Sequence, residues 1–112
     1  MYRLSIQPGQ LCLPQLRQIA LQPVSLALDP SCHEAIHASA AAVARVIEQN
    51  RVVYGINTGF GLLANTRIAP EDLQLLQRSI VLSHAAGIGE LMTESSVRLM
   101  MCLKINSLAR GF

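Results

Sequence analysis

In the stretch Val53-Tyr54-Gly55-Ile56-Asn57-Thr58-Gly59-Phe60-Gly61-Leu62-Leu63-Ala64-Asn65-Thr66-Arg67-Ile68, the run from Tyr54 to Gly61 sets one phenol beside three glycines and two small polar side chains, Asn57 and Thr58. Glycine tolerates φ > 0 without steric cost and lets a backbone come close to a ligand. A glycine-dense run with Tyr54 at its edge is therefore a candidate mobile loop that carries a phenol to a site. The plainer reading is an irregular connection with a tyrosine packed at its edge, since turns collect glycine for backbone reasons alone.

Outward from this run the chain reads as mainly helical. Leu4-Ser5-Ile6 alternates and stops at Pro8-Gly9, a short strand and turn. Leu11 to Ala20 reads as a short helix with Pro14 in its first turn. Val24, Leu26 and Leu28 alternate again, a second short strand that could pair with the first. Asp29 or Ser31 can cap a long helix, Ser31 and Glu34 matching the S-x-x-E capping box. In that helix Ile36, Ala40, Val43 and Ile47 recur at helical spacing and predict a buried stripe.

Residues 50–69 are long for a loop in a compact domain, and such loops are usually functional or disordered. Pro70-Glu71-Asp72 opens a further helix, with proline in the first turn and two acids at the positive end of the helix dipole. Leu73, Leu76, Ile80 and His84 share one face of it, and Gly87 and Gly89 are expected to end it. Thr93 can cap a last helix that is apolar on most sides from Val97 to Leu108, a pattern that asks for burial on several sides.

Composition bounds the function. The chain has 112 residues, enough for one domain. It is 51% hydrophobic and only 14% charged, more apolar than suits a free-standing domain of this size. A net charge of +2 without a basic cluster gives nucleic-acid or acidic-membrane binding no electrostatic support. Cys12, Cys32 and Cys102 are far apart and odd in number, and read as reduced, packed thiols. No apolar run approaches the ~18 residues of a membrane span, and no signal peptide opens the chain. A cytoplasmic setting is the expectation.

Three motifs carry potential chemistry. His33-Glu34-Ala35-Ile36-His37 matches H-E-x-x-H, which on a helix can hold zinc. No third ligand follows at a recognised spacing, so a solvent-facing helix start is the simpler reading and no metal is expected. Gly55, Gly59 and Gly61 fit neither G-x-G-x-x-G nor a P-loop. Ser83-His84 lies near the end of an apolar helix; His84 is either a hydrogen-bonded core residue or a group that reads a polar substrate ring. A free phenol has a pKa of about 10, so Tyr54 needs nearby positive charge or hydrogen bonds to work as a base. Arg67 is the closest cation in sequence.

The run Val53 to Ile68 resembles the signature loop of the aromatic amino-acid ammonia-lyases. Leu76 to Glu90 and Leu103 to Phe112 resemble the family's next helices, and the N-terminal Pro8-Gly9 and Leu13 to Leu28 pattern also fits, so the likeness covers essentially all 112 residues; Ser83-His84 resembles the histidine branch. The resemblance implies a mainly α N-terminal domain, or fragment of a larger lyase, over 1–112, with a short two-stranded β element near its start. It implies a homotetramer that eliminates ammonia from L-histidine to give trans-urocanate, the first step of histidine breakdown. The electrophile is a methylidene-imidazolone (MIO) group formed from an Ala-Ser-Gly tripeptide. That tripeptide does not occur here, so this chain is expected to be inactive alone. By resemblance Tyr54 is the base, His84 and Ser83 are the substrate-binding pair, and Gly55, Gly59 and Gly61 are hinges that let the loop close and exclude water. A non-catalytic helical module that oligomerises through its apolar last helix is the alternative.

Overall fold

The computed structural model describes residues 2–112. Its elements run β1 (Tyr2–Ile6), α1 (Leu13–Leu21), β2 (Val24–Leu28), α2 (His33–Glu48), α3 (Leu73–His84) and α4 (Glu94–Leu108), with short 3-10 turns at Pro30–Cys32, Gly61–Leu63 and Pro70–Asp72. The protein is mainly α with one two-stranded sheet near its start. It divides into two compact units. One runs to Ala40 and resumes over Glu90–Phe112; the other is Ala41–Gly89.

In the first unit β1 and β2 pair in parallel, Leu4 opposite Leu26 and Ile6 opposite Leu28. Parallel neighbours need a crossover connection, and α1 provides it. The alternation read in the sequence sends Leu4 and Ile6 inward, where they meet Ile19 of α1 and Cys102 of α4 in one buried cluster. Leu11, Leu16, Val24, Leu26, Leu28 and Leu99 pack around it. The Gln15 side chain accepts from the Cys12 backbone N–H at 3.0 Å and closes the first turn of α1.

Several details differ from the sequence reading. Asp29, not Ser31, fills the cap before α2: its carboxylate accepts from the Ser31 backbone N–H at 2.9 Å and from the Ser31 hydroxyl at 2.5 Å. These bonds, helped by His33, hold the Asp29 carboxyl below the usual range. The predicted stripe of α2 is not buried: Ile36 and Ile47 are half-buried, while Ala40 and Val43 are exposed. Helical spacing fixes which residues share a face but not whether a neighbour covers it. α3 stops at His84, with Ala85 as its cap, before Gly87 and Gly89 are reached. Thr93 caps α4 as its sequence suggests, accepting from the Ser96 N–H at 3.3 Å. Cys102 and Cys32 are buried thiols, but Cys12 is exposed and free, because it sits at the helix cap rather than on the inward face.

The second unit joins the end of α2 to α3 through residues 50–69, and these are better ordered than their length suggests. Thr58 and Arg67 form an antiparallel bridge. The Gly59 N–H donates to the Thr66 carbonyl and the Ile68 N–H to the Asn57 carbonyl, each at 2.9 Å. The Arg67 guanidinium donates to the Asn50 side-chain oxygen. The 3-10 turn Gly61–Leu63 forms the tip of this short hairpin.

Candidate active site

Tyr54 begins a tight turn in which the Ile56 N–H and the Asn57 N–H both donate to the Val53 carbonyl, at 3.1 and 3.3 Å. Its side chain is 62% exposed. The aromatic partner it meets is Phe60, edge to face, with centroids 5.6 Å apart. Gly55 follows at φ +81°, in the left-handed region where a Cβ is strained, and no atom lies within 4 Å of where a Cβ would stand. Gly59 is selected differently. A Cβ there would stand 2.5 Å from the Leu63 Cβ and 2.9 Å from the Leu63 carbonyl oxygen, so the residue permits a close backbone approach. Gly61, at φ +58°, starts the tip of the hairpin.

His84 ends α3 on the solvent side. Its Nδ1 lies 2.8 Å from the Ile80 carbonyl oxygen, one turn back. A carbonyl only accepts, so the proton belongs on Nδ1, a tautomer assigned here from the hydrogen-bond partner. The neutral ring then presents Nε2 as an acceptor. The Ser83 hydroxyl donates to the same carbonyl at 3.0 Å and sits 3.2 Å from His84 Nδ1, so it backs the ring rather than reaching outward. His84 is thus an exposed end-of-helix group, not the core histidine the sequence left open.

Arg67 is committed to Asn50 and to the hairpin bridge, and no contact with Tyr54 is among its bonds. His33, Glu34 and His37 are exposed along the start of α2, and no cluster of three ligating side chains occurs among the described residues. An open apolar cleft lined by Val43, Ile47, Gly55, Ile56 and Leu73 lies behind the Tyr54 turn; neither Tyr54 nor His84 lines it.

Comparison with known proteins gives this geometry a context. The family model described as aromatic amino acid lyase matches residues 11–112. The chain belongs to the aromatic amino acid lyase family. It is 70% identical over all 112 residues to a histidine ammonia-lyase of Psychromonas ingrahamii and 67% identical to one of Vibrio cholerae. It spans about a fifth of the length of these relatives, 22% in each case. A crystal structure of histidine ammonia-lyase from Trypanosoma cruzi superposes with a TM-score of 0.84 at 29% identity, over 97% of this chain and 21% of that one. The lyase family is the class that works with the MIO electrophile. No helix among the described residues is long and apolar enough to cross a membrane.

In the sequence of this lyase segment the phenol and the glycines stand out, while the residues that hold them do not. Asn57 is almost wholly buried under the turn, and Gln77 of α3 donates its side-chain amide to the Gly55 carbonyl at 3.3 Å. For Asn57 a signal was available: asparagine bonds readily to nearby backbone and favours turns. Gln77 offers none, being one exposed glutamine among several.

Proposed function

We propose that this segment is the N-terminal part of a histidine ammonia-lyase that converts L-histidine to trans-urocanate and ammonia in the first step of histidine degradation. The observation that carries the reading is an exposed phenol on a hydrogen-bonded, glycine-flanked turn, in a chain 70% identical to a histidine ammonia-lyase along its whole length.

The proton to be removed sits on the carbon β to the amine and is weakly acidic. It needs a base within hydrogen-bond reach and an amine made into a leaving group. Tyr54 is the base. The MIO group supplies the electrophilic chemistry when bound; its Ala-Ser-Gly precursor is not among these 112 residues, and this segment offers no substitute for it. His84, with Nδ1 satisfied by Ile80, turns an acceptor Nε2 outward, suited to the N–H of a substrate imidazole. Ser83 backs that ring. Gly55, Gly59 and Gly61 are the positions about which the Tyr54 loop closes over substrate.

The apolar side chains left open on α4, among them Met100, Met101, Leu103 and Leu108, favour burial against further copies, which supports a homotetramer. They also favour the second reading, a helical assembly module without catalysis. The absence of a membrane-spanning helix among the described residues fits a cytoplasmic enzyme.

The test is Tyr54→Phe in the complete enzyme, followed by urocanate absorbance. Because the phenol is exposed, folding is expected to be unchanged while turnover falls by roughly 10²–10⁴-fold. A near wild-type rate removes Tyr54 from the mechanism. The isolated 112-residue chain is expected to give no urocanate, and sustained turnover by it would overturn the division of labour.

A further inference from the structure

Tyr54 has little to hold its side chain except one edge contact with Phe60. The place of its hydroxyl is therefore set by the backbone that carries it. Gln77 reaches that backbone once, at the Gly55 carbonyl, and a single other side chain holds the stretch on the N-terminal side of the phenol. Asn57 is 3% exposed. Its Oδ1 accepts from the Val53 N–H at 2.9 Å, and its Nδ2 donates to the Arg51 carbonyl at 2.7 Å. Its own N–H donates to the Val53 carbonyl at 3.3 Å, and its carbonyl accepts from the Ile68 N–H at 2.9 Å.

Both peptide groups of Val53, the residue immediately before the phenol, are thus tied to Asn57. Through Ile68 the same residue fixes the turn to the opposite arm of the hairpin. We propose that Asn57 is a positioning residue for Tyr54: its amide, bridging Arg51 and Val53, holds the phenol where proton abstraction requires it. The proposal rests on the reading of Tyr54 as the base.

The pattern needs an amide. One end must accept from an N–H while the other donates to a carbonyl, 2.9 and 2.7 Å away. Aspartate keeps the acceptor but sets a second oxygen against the Arg51 carbonyl, so the clamp opens on one side with almost no change in volume. Misplacement of a reacting group by about 1 Å can cost on the order of 10²-fold in rate.

In the complete enzyme, Asn57→Asp is expected to lower kcat by about 10–100-fold with KM held within about twofold, because the side chain is buried beneath the turn with both ends of its amide on backbone groups. In a Tyr54→Phe background the same substitution is expected to add no further loss, since there is then no phenolic base to misplace. Should Asn57→Asp fail to fold, Asn57→Ser takes its place, with thermal denaturation reporting the folded fraction. A folded variant with kcat within twofold of wild type overturns the proposal. So does an undiminished loss in the Tyr54→Phe background, or a rise in KM alone. If Tyr54→Phe costs activity and Asn57→Asp does not, only the positioning role falls. If Tyr54→Phe itself is near wild type, both readings fall.

Discussion

The guanidinium of Arg98 sits on the carboxyl end of α1, with Nη2 2.8 Å from the carbonyl oxygen of Ala20. Nε donates to the Ile19 carbonyl at 3.0 Å, and Nη1 reaches Glu94 at 3.3 Å. The last carbonyls of a helix lack partners within it and carry the negative end of its dipole. One side chain of α4 therefore both caps α1 and fastens the two helices. Arg98→Ala is expected to destabilise the fold by about 2 kcal/mol, the range for a hydrogen bond to a charged group. Arg98→Lys should recover part of this, since an ammonium cannot reproduce the planar fork. Thermal denaturation of the two variants checks the order. Equal midpoints for wild type and Arg98→Ala would refute it.

Gly55 and Gly59 make different demands on substitution. Gly55→Ala meets no neighbour but must hold a positive φ, a cost of about 1–2 kcal/mol. Gly59→Ala drives a methyl into Leu63, backbone oxygen included, and overpacking of this kind costs about 1–3 kcal/mol. The hairpin of Gly59→Ala is expected to open further than that of Gly55→Ala. Limited proteolysis between residues 54 and 68 reads this directly, and faster cleavage in Gly55→Ala would reverse the assignment.

For His84, a substrate contact through Nε2 predicts a binding effect more than a chemical one. His84→Ala is expected to raise KM for L-histidine about tenfold or more, the loss of one buried hydrogen bond being worth roughly 1.4 kcal/mol. Ser83→Ala, which removes only support behind the ring, should change KM less. Steady-state kinetics of the two variants test this. A larger effect at Ser83 would move the contact there.

The three thiols should separate by reactivity. Cys12 is exposed, while Cys32 and Cys102 are buried, and burial pushes the Cys102 thiol above its usual pKa. A group whose folded pKa is raised stabilises the fold fully below its unfolded value, here about 8.5, and loses that contribution as pH rises through its folded value. In the 112-residue chain a thiol reagent is expected to label Cys12 first and Cys102 last. Between pH 8 and 10 wild type should lose more thermal stability than Cys102→Ala. Parallel losses would show that the thiol does not contribute.

Local patterns carried most of the fold. Leu4 and Ile6 alternate because one face of β1 is covered, Thr93 caps because its hydroxyl reaches the first turn of α4, and Pro70 opens a helix because it lacks an N–H to lose. Each is decided within a few residues. Arg98 on Ala20 and Gly9 N–H on Asn106 are not, since they join residues 78 and 97 positions apart. The α2 stripe shows the complementary limit: periodicity marks an apolar face, but its cover must come from elsewhere. At the candidate site the sequence displayed the phenol, the glycines and the Ser83-His84 pair. It marked Asn57 as a turn-former but not as a clamp, because one asparagine among turn residues looks the same whether its amide faces water or holds two backbone groups.

The cluster that joins Leu4, Ile6 and Ile19 to Cys102 also sets an order of assembly during synthesis. Ala41–Gly89 is continuous in sequence and can close on itself as it leaves the ribosome. The first strand cannot complete its core until α4 has been made. At a translation rate of ~10 residues per second, Leu4 and Ile6 wait on the order of ten seconds for Cys102. Until α4 is made, the apolar face of the nascent N-terminus stays unfinished.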